Sequence, residues 1–323
     1  MKSNSLQIID FDRVTNRVSA PSWPSLLQVK LLQWSHKLLK PLKYLGVSRI
    51  HGLINRIVNL DSSTVVREGK FEFRFPSNDY YWNRLLDNNF EYEIEIDQFL
   101  NQYSSLPFVF LDLGANFGYW TSRLSAGLYG EHKVIAVEAS KSCFGILQQN
   151  VRGEGNEVSL HHKAIDDESG KELTLYGERH AGFSIDSTWY GASDEVAGKV
   201  ESICIDDLVE LEQVDANNTP IIVKLDVEGV EMRALQGAAN VVSGLSAFII
   251  EDAEKQGISD AVLFAKEKLG LDFFYLENKT IREVSLDDIM KIKRTGNTLQ
   301  GIGLNLIATK SDYWKEKLRR STS

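Results

Sequence analysis

From residue 106 onward, short apolar runs alternate with longer stretches in which apolar residues recur every three or four positions. The runs at 108–113, 133–137, 158–163, 221–225, 247–250, 272–276 and 303–309 read as strands. Helices are predicted at 119–127, 141–152, 230–242 and 259–269. Phe108, Val109, Phe110 and Leu111 are apolar at consecutive positions, as are Ile221, Ile222 and Val223. That is how strands covered on both faces of a parallel sheet read. The alternation predicts an α/β fold, Rossmann-like, with a mostly parallel, doubly wound seven-stranded sheet and not a barrel. An insertion at 166–218 separates the third and fourth strands and carries strand-like pieces at 171–176 and 199–205.

The first third of the chain has a different pattern. Residues 1–22 show no period and read as weakly ordered, and Pro21 and Pro24 then break the chain. Across 25–60 there are many leucines together with Lys30, Lys37, Lys40, Lys43, Arg49 and Arg56, and no acidic residue. Leu27, Leu31, Trp34, Leu38 and Leu42 fall at helical spacing, so one helix face is apolar. Two readings follow: a helical extension packed on the main domain, or a basic amphipathic segment making peripheral contact with an anionic membrane. Residues 70–75 alternate polar and apolar, the mark of a half-buried strand that Pro76 ends, and 79–103 is expected to be mostly helical. The domain expectation is a largely helical N-terminal extension over 1–104 and a Rossmann-like domain over 105–323.

Composition narrows the partners. The net charge of -9 argues against nucleic acid, which needs a concentrated basic surface. The two cysteines, Cys143 and Cys204, have no metal-ligand or disulfide-framework spacing and read as reduced core thiols. No apolar run approaches the roughly 18 residues of a spanning helix. Residues 1–20 lack the apolar core of a secretory signal, so a cytoplasmic protein is expected.

The chemistry concentrates at strand ends. The first strand runs into Asp112-Leu113-Gly114-Ala115-Asn116-Phe117-Gly118. A glycine turn there lets a ligand approach the backbone at the carboxyl end of the sheet. The spacing is G-x-x-x-G after an acid, not the G-x-G-x-x-G of a dinucleotide turn, so a ligand without a pyrophosphate is favoured over a nicotinamide cofactor. Asp112 is placed to order the loop and face a ligand ammonium. Glu138 ends the second strand, where an acid can accept both hydroxyls of a ribose. The block Lys224-Leu225-Asp226-Val227-Glu228-Gly229-Val230-Glu231 spans a strand exit and a helix start, and brings Asp226 and Glu228 to the same edge. The next strand adds Glu251 and Asp252 there. For carboxylates at a helix N-terminus, Glu231 among them, the lesser alternative is a simple partnership with the helix dipole.

The segments FVFLDLGANFGYWT, VIAVEAS, SICIDDL, IIVKLDVEGVEMRALQGA and FIIED, in this order, resemble the FkbM family of class I methyltransferases. The likeness covers roughly 108–252, and weakens to about 309. It departs from the family pattern at Ala139, where a proline often follows the acid. The resemblance implies S-adenosylmethionine as methyl donor and, usually, O-methylation of sugar hydroxyls in glycans or natural products. Carried over, Asp112, Gly114, Asn116 and Gly118 match the donor loop, Glu138 the ribose acid, and Asp226 and Glu228 the K-x-D-x-E-G acids. A sugar hydroxyl is a poor nucleophile and needs a base. Asp226, Glu228 and Glu251 are the candidates, with His180 of the insertion behind them. A divalent ion held by those three acids is a further route to the same end. The rival class is a noncatalytic donor-binding sensor or scaffold.

Overall fold

The computed structural model describes residues 7–39, 46–57, 62–151, 156–178, 180–189, 194–254, 257–277, 279–294 and 303–320. Leu42, Lys40 and Lys43 lie outside them. The chain divides into two compact units, Met1–Tyr92 and Glu93–Ser323.

The first unit contains strands β1 (Gln7–Asp12) and β2 (Arg17–Ser19), helices α1 (Trp23–Leu39) and α2 (Val47–Ile57), and strands β3 (Ser62–Glu68) and β4 (Phe71–Pro76). The strands form one sheet in the order β2-β1-β3-β4, with β1 parallel to β3. The units divide at Tyr92/Glu93, earlier than the expected 104/105, and the first carries helix at Trp23–Leu39 and Val47–Ile57 together with a sheet. The expectation of weak order is corrected over Gln7–Ser19, since β1 pairs along its whole length with β3, a partner far along the chain that no local pattern reveals. On β4 the expected alternation holds: Phe71, Phe73 and Phe75 are buried, and Phe73 meets the Trp82 ring at 4.8 Å.

The second unit contains α3 (Ile94–Tyr103), β5 (Val109–Leu113), α4 (Tyr119–Ser125), β6 (Lys133–Val137), α5 (Lys141–Asn150), β7 (Val158–His161), β8 (Ala164–Ile165), β9 (Glu172–Tyr176), β10 (Val196–Ile203), α6 (Ile205–Leu211) and β11 (Ile221–Leu225). It continues with α7 (Glu231–Gln236), α8 (Ala239–Ser243), β12 (Ser246–Asp252), α9 (Asp260–Glu267), β13 (Asp272–Glu277), β14 (Thr280–Val284), α10 (Leu286–Arg294), β15 (Leu304–Thr309) and α11 (Asp312–Arg320). The main sheet runs β14-β13-β15-β12-β11-β5-β6-β7. From β7 to β12 all neighbours are parallel, while β15, β13 and β14 join antiparallel.

All seven expected strands are present. The eighth, β14, closes a hairpin on β13 and forms the edge of the sheet. The expected helix at 230–242 is split into α7 and α8 at Gly237, where a Cβ would sit 2.8 Å from the Asp166 carbonyl oxygen. One core layer joins Leu111, Leu113, Val223 and Leu225 to Leu208, Leu235, Val241 and Val262 of the covering helices. Both cysteines are buried, as core thiols should be.

Candidate active site

Register builds the site before any side chain is considered. Leu113 pairs with Val137 on one side and Leu225 on the other, and Leu225 pairs with Ile250. Gly114, Glu138, Asp226 and Glu251 are each the next residue, so one row at the carboxyl ends of four parallel strands carries the glycine turn and three acids. Alternation then sorts the last pair of β12. Asp252 goes to the opposite face, fully buried and paired with Lys293 at 2.8 Å. The expectation that Asp252 shares the edge with Glu251 is corrected on that ground.

The turn after β5 is pinned to its neighbours. The amides of Gly114 and Ala115 both donate to the Val137 carbonyl, at 3.0 and 2.9 Å. Asp226 N donates to the Leu113 carbonyl at 3.1 Å. Gly114 has φ +78°, and a Cβ there would fall 1.8 Å from the Asp226 carbonyl oxygen. Only glycine lets this turn lie against the β11 exit. Gly118, at φ +82°, lies in the left-handed region that favours glycine, and a Cβ there would press on Leu147 Cδ1.

Asp112 is 1% exposed. Its Oδ2 accepts from Thr121 N at 3.1 Å and from the Thr121 hydroxyl at 2.5 Å, which ties β5 to the first turn of α4. Its Oδ1 is buried without a hydrogen bond, with Lys224 Nζ 3.9 Å away. Glu138 Oε2 accepts from Asn116 N and Oε1 from Ser140 N, both at 2.7 Å. A carboxylate has about four acceptor sites, so each oxygen keeps one for a ligand hydroxyl. Burial pushes the Glu138 carboxyl up to about 7, against the pull of those two amides.

The insertion reaches back onto this edge. Asn116 Nδ2 donates to the His180 carbonyl at 2.9 Å, and the His180 ring lies 4.5 Å from that of Phe117. Ser184 Oγ donates to the Glu228 carbonyl at 2.6 Å. A Cβ on Gly229 would fall 2.2 Å from Trp189 Cδ1. The strand-like pieces of the insertion form a small sheet, β8-β10-β9, that carries this segment.

At the β11 exit, Lys224 interrupts an apolar strand and is 4% exposed. Its ammonium donates to Asp226 Oδ2 at 2.9 Å. Despite its burial, the neighbouring Asp226, Asp112 and Glu93 carboxylates raise its pKa, so it stays charged. Burial and then the Asp226 charge push Glu228 and Glu251 well above the carboxylate range. Glu231 is held locally, as its Oε1 accepts from Val227 N at 3.1 Å and Gly229 N at 3.2 Å. Among the described residues no group of three or more His, Cys, Asp or Glu side chains is arranged to hold a metal. Asp226, Glu228 and Glu251 cluster electrostatically, but around Lys224.

Sequence reasoning missed Glu93. It precedes α3 in the left-handed region, φ 43°, and is 5% exposed. Trp120 Nε1 donates to its Oε2 at 2.6 Å. Burial pushes its carboxyl up to about 7, with Lys224 opposing and Asp226 adding to the shift. Nothing in the acidic, aromatic stretch around it marks which acid points inward.

The raised value sets a pH dependence. The folded-state pKa lies above the ordinary 4.5, so the stability associated with the neutral group is complete below pH 4.5 and is lost as pH rises through about 7. Glu93→Gln keeps an acceptor for Trp120 and cannot ionise. Relative to the parent, this variant should gain up to about 3 kcal/mol of stability between pH 4 and pH 8. Denaturant titrations at the two pH values measure it, and a difference independent of pH would be the wrong result.

The strand order is that of a class I methyltransferase fold, with a glycine turn after the first parallel strand and an acid after the second. Residues 112–267, just under half of the chain, match the model described as Methyltransferase FkbM domain. No curated protein matches the chain. Among solved structures it is similar to the precorrin-6y C5,15-methyltransferase of Geobacter metallireducens GS-15, at 11% identity and TM-score 0.33, over 66% of this chain and 86% of that one. It is also similar to a putative S-adenosylmethionine dependent methyltransferase of Listeria monocytogenes, at 12% identity and TM-score 0.30, over 67% and 99%. The fold assignment rests on the strand order, not on likenesses this low.

Proposed function

We propose that the protein transfers a methyl group from S-adenosylmethionine to a hydroxyl oxygen of a sugar, in a glycan or a glycosylated natural product. The observation that carries this reading is the row of acids at the β11 and β12 exits beside the glycine turn. Asp226, paired with the charged Lys224, lies next to Glu228 and Glu251, which burial pushes toward the neutral form. A carboxylate beside neutral carboxyls suits a hydroxylated acceptor. The first accepts the reacting proton, and the others donate hydrogen bonds to neighbouring oxygens.

The donor fits the residues present. The turn leaves no room for a Cβ, Glu138 retains acceptor capacity on both oxygens, and Asp112 Oδ1 is an unused buried acceptor. Asp112, Gly114, Asn116, Gly118 and Glu138 would hold it, the ribose on Glu138. The bound donor supplies an electrophilic methyl on a good leaving group. The chain's own residues do the rest. Asn116 and Trp189 bring the insertion over the edge and exclude water, Glu228 and Glu251 orient the acceptor, and Asp226 takes the proton.

Glu138→Ala should weaken donor binding by roughly 1.5–3 kcal/mol for each charge-assisted hydrogen bond lost, read by calorimetry. An unchanged affinity would take Glu138 out of the donor site. The function itself is tested by incubating the protein with methyl-labelled donor and a panel of glycans and glycosides. Label on a sugar oxygen is the expected result. Donor binding with no transfer to any acceptor class would favour the sensor reading instead.

A further inference from the structure

Helix α1 packs with an unexpected face inward. The sequence marks Leu27, Leu31, Trp34 and Leu38 as its apolar stripe. The residues buried are instead Ser25, Gln28, Val29, Leu32, Ser35, His36 and Leu39, more than half of them polar. This inner face is secured by polar and aromatic contacts. Ser35 Oγ hydrogen-bonds to the Leu32 carbonyl at 2.7 Å and lies 3.3 Å from His51 Nε2 of α2, and the His36 and His51 rings meet edge to face at 4.8 Å. Gln33 Nε2 donates to the Leu86 carbonyl at 3.1 Å.

The outward face is left apolar and basic. Trp23 is 71% exposed, Trp34 62% and Leu38 54%, and Lys30 and Lys37 are exposed among them. With half-buried Leu27, these residues fall at i, i+4, i+7, i+11 and i+14/15, one stripe about 22 Å long at 1.5 Å per residue. Helix α2 repeats the arrangement with exposed Arg49, Leu53 and Arg56. Neither helix contains an acid, in a chain whose net charge is -9. Two tryptophans exposed on one helix face, spaced by lysines, are unusual on a monomer surface.

We infer that the outward face of α1 docks on an anionic lipid bilayer. Charge complementarity and the tryptophans select this occupant. Lysines alone would serve any polyanion, but exposed indole rings and leucines gain only where an apolar phase lies just beneath the charge, and tryptophan sits at that interface. A second copy is disfavoured because the stripe would meet its own cations. The helix lies along the surface and does not cross it, since among the described residues no helix is long and apolar enough to span. The inference is independent of the acceptor proposed above.

The test is sedimentation of the full chain with phosphatidylcholine vesicles, with and without phosphatidylserine at about a third of the lipid. Binding is expected only with the anionic vesicles and should weaken as salt is raised. Each surface cation is worth about fivefold in partitioning, so Lys30→Glu with Lys37→Glu should lose at least tenfold. Trp23→Ser with Trp34→Ser should also lose binding. All four side chains are solvent-facing, and circular dichroism checks the fold. As a second measurement on the parent, lipids brominated on the acyl chains should quench its tryptophan fluorescence. The inference fails if the parent ignores anionic vesicles, if either double variant binds as the parent does, or if bromolipid leaves the fluorescence unchanged. Retention on a polyanion without vesicle binding, or a concentration-dependent dimer removed by the tryptophan changes, would assign the face to those partners instead.

Discussion

Replacing Asp226 by Asn is expected to slow methyl transfer by about 10²–10⁴-fold, the usual loss when a general base is removed. Donor affinity should change little. Asp226 stands one residue beyond the register line that aligns β5, β11 and β12, beside Gly114 and Glu251. Its side chain is 22% exposed and pairs with the Lys224 ammonium at 2.9 Å. Asn preserves the size and a hydrogen-bond acceptor for Lys224 while removing the charge. It also leaves the Asp226 amide on the Leu113 carbonyl, so the fold of the edge is retained. Single-turnover transfer to an acceptor from the panel, with calorimetric donor binding alongside, separates the effects. Turnover at the parental rate would move the base to Glu228, Glu251 or His180. Loss of folding would make Asp226 structural, but not as a helix cap, because Glu231 holds the amides ahead of α7.

Lys224→Met should cost about 3–5 kcal/mol of stability, the range for removing one partner of a buried ion pair. The ammonium is the central cation of this edge. It hydrogen-bonds Asp226 at 2.9 Å, lies 3.9 Å from Asp112 Oδ1 and opposes the rise of Glu93, Glu228 and Glu251. Without it, Asp112 is a carboxylate 1% exposed that has lost the cation 3.9 Å away. Adding Asp112→Asn to Lys224→Met should recover part of the loss, because two neutral groups do not leave a bare charge. Denaturant unfolding of the parent, both single variants and the double variant measures this coupling. If Lys224→Met is as stable as the parent, the lysine is not what allows these acids to be buried together.

Much of this site is legible in the sequence for a local reason. A parallel sheet buried on both faces demands continuous apolar strands, and the residues that break that rule at strand ends stand out. Asp112, Gly114, Glu138, Asp226 and Glu251 are all such residues, and so is Lys224 inside Ile221–Leu225. The sequence does not say which face a side chain takes once the strand ends. Glu251 and Asp252 look equivalent there, yet one joins the acid row and the other pairs with Lys293. Glu93 is hidden for another reason. It lies before the first strand of its sheet, and the contact that holds it, Trp120 of α4, is 27 residues further on.

The sequence by itself determined the alternation of strands and helices, the glycine turn and the acids at its edge, because periodicity and turn chemistry act over a few residues. Only the tertiary structure decided the partners. The pairing of β1 with β3, the antiparallel entry of β15 between β12 and β13, and the approach of Ser184 and Trp189 to Glu228 and Gly229 all join residues far apart in the chain. It also decided which side of α1 faces in. Spacing finds a helix and its stripes, but burial depends on what the neighbouring elements offer. Here they offer His51 and the Leu86 carbonyl to a polar face and leave Trp23, Trp34 and Leu38 to solvent.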